Sequence, residues 1–150
     1  VKKEKTLMLF QRINRTDAEK IFMIVQNVSG STATQGYNVV LDVGANTDGV
    51  RVTQASSTDL QAYIGAADKD IANNAFGLVQ VYGFRTDLFI FSSVGSSVAG
   101  DELICVADKW GVTPQATSGD AKSFGFLCEA VSASSSSQYH LTAKAFIRAL

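Results

Sequence analysis

Residues Tyr139-His-Leu-Thr-Ala-Lys-Ala-Phe-Ile-Arg-Ala-Leu150 decide how the rest of the chain is read. Tyr139, Leu141, Ala143, Ala145, Ile147 and Ala149 alternate with His140, Thr142, Lys144, Phe146, Arg148 and Leu150. A period of two places successive side chains on opposite faces, so this is a half-buried strand with its odd positions inward. Working outward, short apolar runs separated by turn residues recur along the chain. Ile21–Val25 is a continuous apolar run too short for a helix. Tyr37–Val43 and Gly49–Thr53 flank Gly44-Ala-Asn-Thr-Asp-Gly49 and predict a hairpin. Ala62–Ala67, Gly77–Phe84, Thr86–Phe91, Glu102–Val106 and Ser123–Val131 complete the predicted strands. Ser29–Thr34, Ser92–Gly100, Ser118–Asp120 and Ser132–Ser137 have loop composition. Helix is confined to single turns, at Asp17–Lys20 and Thr58–Ala62. Many short strands with frequent turn signals predict an all-β, mainly antiparallel domain, a single β-sandwich or barrel-like unit.

The chain has 150 residues, 46% of them hydrophobic and 18% charged, with a net charge of −1. That length supports one domain with a sizeable core. Charge is unevenly placed. Residues 1–20 carry six basic and three acidic residues, and residues 21–150 carry seven and eleven. This predicts a short extended N-terminal arm over 1–20 on a β-rich globular domain over 21–150. The arm also holds Leu7-Met-Leu-Phe10, which needs a surface to bury against. Val1 fits either loss of an initiator Met before a small residue or trimming of a precursor. Near-neutral bulk charge argues against nucleic acid or an anionic membrane as the main partner. No apolar run approaches the ~20 residues of a membrane-spanning helix, and no apolar core of a signal peptide follows the Lys-rich start.

The residues that usually carry catalysis are few. His140 is the single His and falls on the polar face of the last strand, with no nucleophile elbow around any Ser. Cys105 and Cys128 lie in apolar strand contexts and read as buried structural thiols, a disulfide between neighbouring strands being the alternative. Zinc would have too few Cys and His. Asp42–Val50 looks like a calcium loop only superficially, since Gly44 and Ala55 occupy its two strongest ligand positions. Gly119-Asp-Ala-Lys-Ser123 interrupts the contiguous Gly-Lys-Ser of a phosphate loop. Asp101-Glu102 would face opposite sides of a strand, and Asp68 and Asp70 belong to an exposed turn. Trp110 offers a carbohydrate platform if exposed, and a core anchor if buried. The sequence thus predicts no enzyme, no cofactor and no metal.

Two stretches carry a resemblance. One is Ile71-Ala-Asn-Asn-Ala-Phe-Gly-Leu-Val-Gln-Val-Tyr-Gly-Phe84 with Val98-Ala-Gly-Asp-Glu-Leu103; the other is Gly125-Phe-Leu-Cys-Glu-Ala130 with Lys144-Ala-Phe-Ile-Arg-Ala-Leu150. Together they resemble the head structural proteins of tailed bacteriophages, the small capsid decoration or cement proteins. The resemblance spans roughly residues 50–150 and consists of strands and turns, not of a catalytic motif. It implies a structural protein of the virion, made in the bacterial cytoplasm and placed on the outer capsid surface. It further implies a homotrimer at three-fold positions that staples neighbouring subunits of the major capsid protein. Against such a shell the arm supplies the expected contacts: Lys2, Lys3, Lys5, Arg12 and Arg15 toward acidic groups, and Leu7, Leu9 and Phe10 for burial. A tail, neck or fibre component, or a carbohydrate- or receptor-binding β-module, are the alternatives.

Overall fold

The computed structural model describes residues 18–45, 48–92, 95–115, 122–133 and 139–149. Eleven strands form there: β1 (Lys20–Asn27), β2 (Asn38–Leu41), β3 (Arg51–Thr53), β4 (Tyr63–Ala67), β5 (Phe76–Ser92), β6 (Gly95–Ser97), β7 (Glu102–Cys105), β8 (Val112–Gln115), β9 (Gly125–Leu127), β10 (Val131–Ala133) and β11 (Tyr139–Arg148). The helical content of the described residues is one 3-10 turn at Leu60–Ala62, so the all-β expectation holds. Among the described residues no helix is long and apolar enough to cross a membrane.

Strand pairing closes into two rings. Hydrogen-bonded neighbours run β1–β3–β2–β4–β5 and return from β5 to β1. A second series runs β5–β11–β9–β7–β8 and returns from β8 to β5. The long β5 therefore belongs to both barrel-like rings. All pairings are antiparallel except β1–β3 and β5–β8. Strands β6 and β10 form a separate small sheet.

Each ring encloses its own core. Val25, Val39, Val52, Ala67, Val79 and Val81 supply at least one buried residue from every strand of the first ring. Leu88, Ile90, Leu103, Cys105, Val112, Leu127, Ala143, Ala145 and Ile147 do the same for the second. Val40, Tyr63 and Ala66, from the first ring's strands, pack into the second core, so adjacent residues such as Val39 and Val40 are both buried. In β11, odd positions Ala143, Ala145 and Ile147 are inward as their alternation requires.

β5 shows how one strand serves two cores. Its inward residues are odd in the first half (Val79, Val81) and even in the second (Leu88, Ile90). The register against β11 passes from Ala143↔Leu88 to Ala145↔Arg85, two steps on one strand against three on the other. That extra residue is a β-bulge, and it flips which parity points inward. The sequence places a break at Arg85, between Gly77–Phe84 and Thr86–Phe91. The chain instead continues as one strand, because the bulge keeps the ladder intact while the pattern changes phase.

Other differences have similar causes. Val112–Gln115 is a strand although it contains Pro114. Among the described residues β8 pairs with β7 throughout but with β5 only at Val112, so no strand faces Pro114 on that side and its missing amide breaks no ladder there. The Ser-rich stretches at 92–100 and 132–137 contribute β6 and β10, which pair with each other. Ser123–Val131 is divided between β9 and β10, and Lys20 belongs to β1 and not to a helical turn. The expected hairpin forms, with Val40 opposite Thr53 and Leu41 opposite Val52.

Buried polar side chains fasten the layers. Asn38 donates from Nδ2 to the carbonyls of Phe89 (2.8 Å) and Trp110 (3.1 Å), and its Oδ1 accepts from the Tyr63 hydroxyl (3.0 Å). β2, β4, the second half of β5 and the Trp110 loop thus meet at one amide. Gly83 lies at φ +108°, and a Cβ there would collide with the Glu19 carbonyl, so only glycine lets the chain enter β1 across β5.

Candidate functional site

The antiparallel register of β1 and β5 sets Ile24 opposite Leu78, Phe22 opposite Gln80 and Gln26 opposite Phe76. Cross-strand partners share a face. The opposite face of the same two strands carries Val25, Val79 and Val81 into the first core. Among the described residues, Gln80 on this outer face is buried but nothing covers its apolar side chains: Ile24 is 66% exposed and Phe76 65%, with Ile21, Phe22 and Leu78 between 40 and 45%. Large apolar side chains clustered at this exposure mark interaction surfaces.

A cleft of about 290 Å³ runs beside this face, lined by Asp68, Lys69, Asp70, Ile71, Phe76, Gly77 and Leu78. Its far wall is held by Asn27, whose buried amide donates to the carbonyls of Ser31 (2.7 Å) and Ile71 (2.8 Å). Gly77 forms the floor, where a Cβ would meet Ile71 Cγ1 at 2.5 Å. Asp70 Oδ1 accepts the Gln35 amide at 2.8 Å.

Asp68 also borders a second, polar cavity of about 400 Å³, with Lys20, Gln35, Gln80, Arg85, Thr86 and Asp87. Arg85, at the bulge, is almost wholly buried. Its Nε stands 2.8 Å from Asp87 Oδ1 but off the hydrogen-bond axis, and one terminal nitrogen donates to Asp87 Oδ2 at 3.3 Å. Gln35 Nε2 donates to the same Oδ2 at 2.7 Å. The ion pair and the amide fix the bulge; they leave no nucleophile–base pair.

The residues the sequence singled out for chemistry have structural roles. Burial, with the Asp59 charge nearby, pushes the Cys105 thiol up to about 12, which removes thiolate chemistry at neutral pH. Cys128 is half-buried, its thiol also raised by desolvation, and both cysteines are free. Trp110 is half-buried and stacks on Tyr37 with centroids 5.3 Å apart, which takes one ring face out of play as a sugar platform. Asp42 Oδ1 accepts the amides of Gly44 and Ala45, and Asp48 Oδ1 those of Val50 and Arg51, so both carboxylates are taken up by local backbone amides. Those two amides hold the Asp48 carboxyl below its usual range. Asp101 Oδ2 accepts the Val98 amide, and Glu102 approaches Arg148 at 3.5 Å. Among the described residues no three His, Cys, Asp or Glu side chains cluster to hold a metal. The backbone of His140 sits in β11 opposite Phe91.

Lys2, Lys3, Lys5, Leu7, Leu9, Phe10, Arg12 and Arg15 all lie outside the described residues. The β1–β5 face was missed as a surface. Its signal was nonetheless present: Ile21–Val25 is apolar at consecutive positions, so both sides of that strand demand burial, and one core can cover only one of them.

No protein-family model matches this sequence, and no curated protein matches it. Among solved structures, the chain is similar to the N base of the head fiber protein gp8.5 of bacteriophage phi29. That likeness has 16% identity, covers 87% of this chain and 96% of that one, and has a TM-score of 0.48.

Proposed function

We propose that this protein is a structural component of a bacteriophage virion that binds the outer surface of the head. There it staples neighbouring major capsid subunits as a homotrimer. The observation that carries this reading is the β1–β5 face, an exposed apolar surface beside which the buried polar side chains Asn27, Asn38 and Arg85 are engaged within the fold. The sequence resemblance to head structural proteins supports the phage assignment. Its segments coincide with the shared strand and its partner: Gly77–Gly83 lies in β5, and Phe146–Arg148 pairs with Tyr82–Phe84.

The work such a protein does is binding. A ligand that engages only the intact lattice stabilises it by mass action. Three linked attachments per trimer raise avidity far above the affinity of one, so each contact can be modest. In this reading the arm makes the shell contacts. Leu7, Leu9 and Phe10 are buried on docking, and Lys2, Lys3, Lys5, Arg12 and Arg15 meet acidic groups.

The test is co-sedimentation of the purified protein with heads of the phage that encodes it, followed by electron cryomicroscopy. Saturable binding with density at three-fold positions is expected. Heads that stay bare, or density confined to tail or neck rings, would refute the reading. Replacing Leu7, Leu9 and Phe10 by Asp should abolish binding; full occupancy by that variant would remove the arm from the account.

A further inference from the structure

We infer that the β1–β5 face is a docking surface for a second copy of this chain, centred on Phe22, Ile24, Phe76 and Leu78. A face that meets its own copy forms a two-fold pair, so this contact is separate from the three-fold contacts of the homotrimer proposed above; the face itself stands on the structure alone.

Area is the first argument. A whole large apolar residue presents roughly 150–250 Å². At the exposures of Ile21, Phe22, Ile24, Phe76 and Leu78, the face offers roughly 390–650 Å² of apolar surface. A stable interface buries about 800 Å² per partner, of which about 56–65% is apolar, or about 450–520 Å². The range brackets the apolar part of one such interface.

Charge selects the occupant. Lys20 and Lys69 lie at the rim with Asp68 and Asp70, two of each sign. A balanced rim gives no advantage to a strongly basic segment such as residues 1–17, nor to a partner of single charge. It complements a copy of itself, in which each sign finds its opposite. The main chain adds a third feature. β1 is laddered to β5 from Lys20 to Gln26, whereas β3 joins it only at Gln26 and Asn27. Among the described residues no strand pairs with the other edge of β1 over Lys20–Val25. An apolar strand with an uncovered edge is a template for another chain.

The test uses the full chain, by size-exclusion chromatography with light scattering across concentrations. The unmodified protein should run at a multiple of its 16.0 kDa mass. Ile24→Lys combined with Leu78→Glu removes the apolar centre and leaves a cross-strand ion pair in its place, which protects the monomer fold. Phe76→Ser is a milder second variant at an exposed position. Both should keep the circular dichroism of the parent and weaken association by about 100-fold or more. A parent that stays at 16.0 kDa up to roughly 100 μM overturns the inference. So do folded variants that associate like the parent. So does Leu9→Asp with Phe10→Asp if it increases association, since the arm would then be what covers the face. Head binding separates the two readings: association without head binding sinks the capsid role alone, and head binding by a protein that stays monomeric sinks this interface and the homotrimer but not attachment to the head.

Discussion

Replacing Asn38 by Ala should loosen the junction between the two rings, and its cost can be worked from the hydrogen bonds. The side chain is nearly fully buried and makes three contacts, to the Phe89 and Trp110 carbonyls and from the Tyr63 hydroxyl. A net hydrogen bond contributes about 0.5–1.5 kcal/mol, and a buried group left without a partner costs about 1–3 kcal/mol. The Trp110 carbonyl keeps the Asn38 amide at 2.8 Å, so its loss is partial. The Tyr63 hydroxyl loses its acceptor inside the core, in a setting dry enough that burial raises the phenol well above its ordinary range. Together these give a destabilisation of about 3 kcal/mol. With a urea m-value of about 2 kcal/mol/M, the midpoint should fall by about 1.5 M at unchanged m. Tyr63→Phe alone should cost about 1 kcal/mol, and the double variant should show a coupling of about 1 kcal/mol. Equilibrium urea unfolding followed by tryptophan fluorescence and circular dichroism measures all three. A loss below about 0.5 kcal/mol for Asn38→Ala, or strict additivity with Tyr63→Phe, would refute the claim that this amide ties the rings.

Further outcomes follow from other sites. Asp87→Ala strands the buried Arg85 guanidinium and should cost about 3–5 kcal/mol, whereas Arg85→Met with Asp87→Leu should recover much of that loss in thermal unfolding. In thiol titration at pH 8, Cys105 should stay unreactive until the protein unfolds, and Cys128 should react slowly in the folded state. Glu129 accepts the Lys144 amide and pairs with the Lys144 ammonium, which hold its carboxyl below the usual range. A depressed folded pKa stabilises above the unfolded value and fades as pH falls through the folded one, so Glu129→Gln should flatten the acid limb of the melting-temperature profile. Gly83→Ala should destabilise the chain or shift the start of β1 in hydrogen exchange, because the new methyl collides with the Glu19 carbonyl.

Much of the fold was legible from local pattern. Alternation in Tyr139–Arg148 specifies a strand and its inward face, since side-chain direction in extended chain depends only on position along it. The Gly- and Asp-rich stretch after Leu41 specifies a hairpin for equally local reasons, its Asp side chains capping nearby amides. The resemblance likewise reads strands and turns, and so points to a class of protein and not to a contact surface.

What tertiary structure alone decided is which faces are covered. Arg85 looks like a break between strands until the register against β11 turns it into a bulge, and that register depends on residues some sixty positions away. Pro114 has a place in a strand because, among the described residues, β5 meets β8 only at Val112. Ile21–Val25 announces that both of its sides seek burial, but whether a core, an arm or another molecule covers each side depends on how distant strands close around it. Periodicity is a property of neighbouring residues, and the sequence carries it whole. Burial is set by ring closure, which exists only when the distant strands have met.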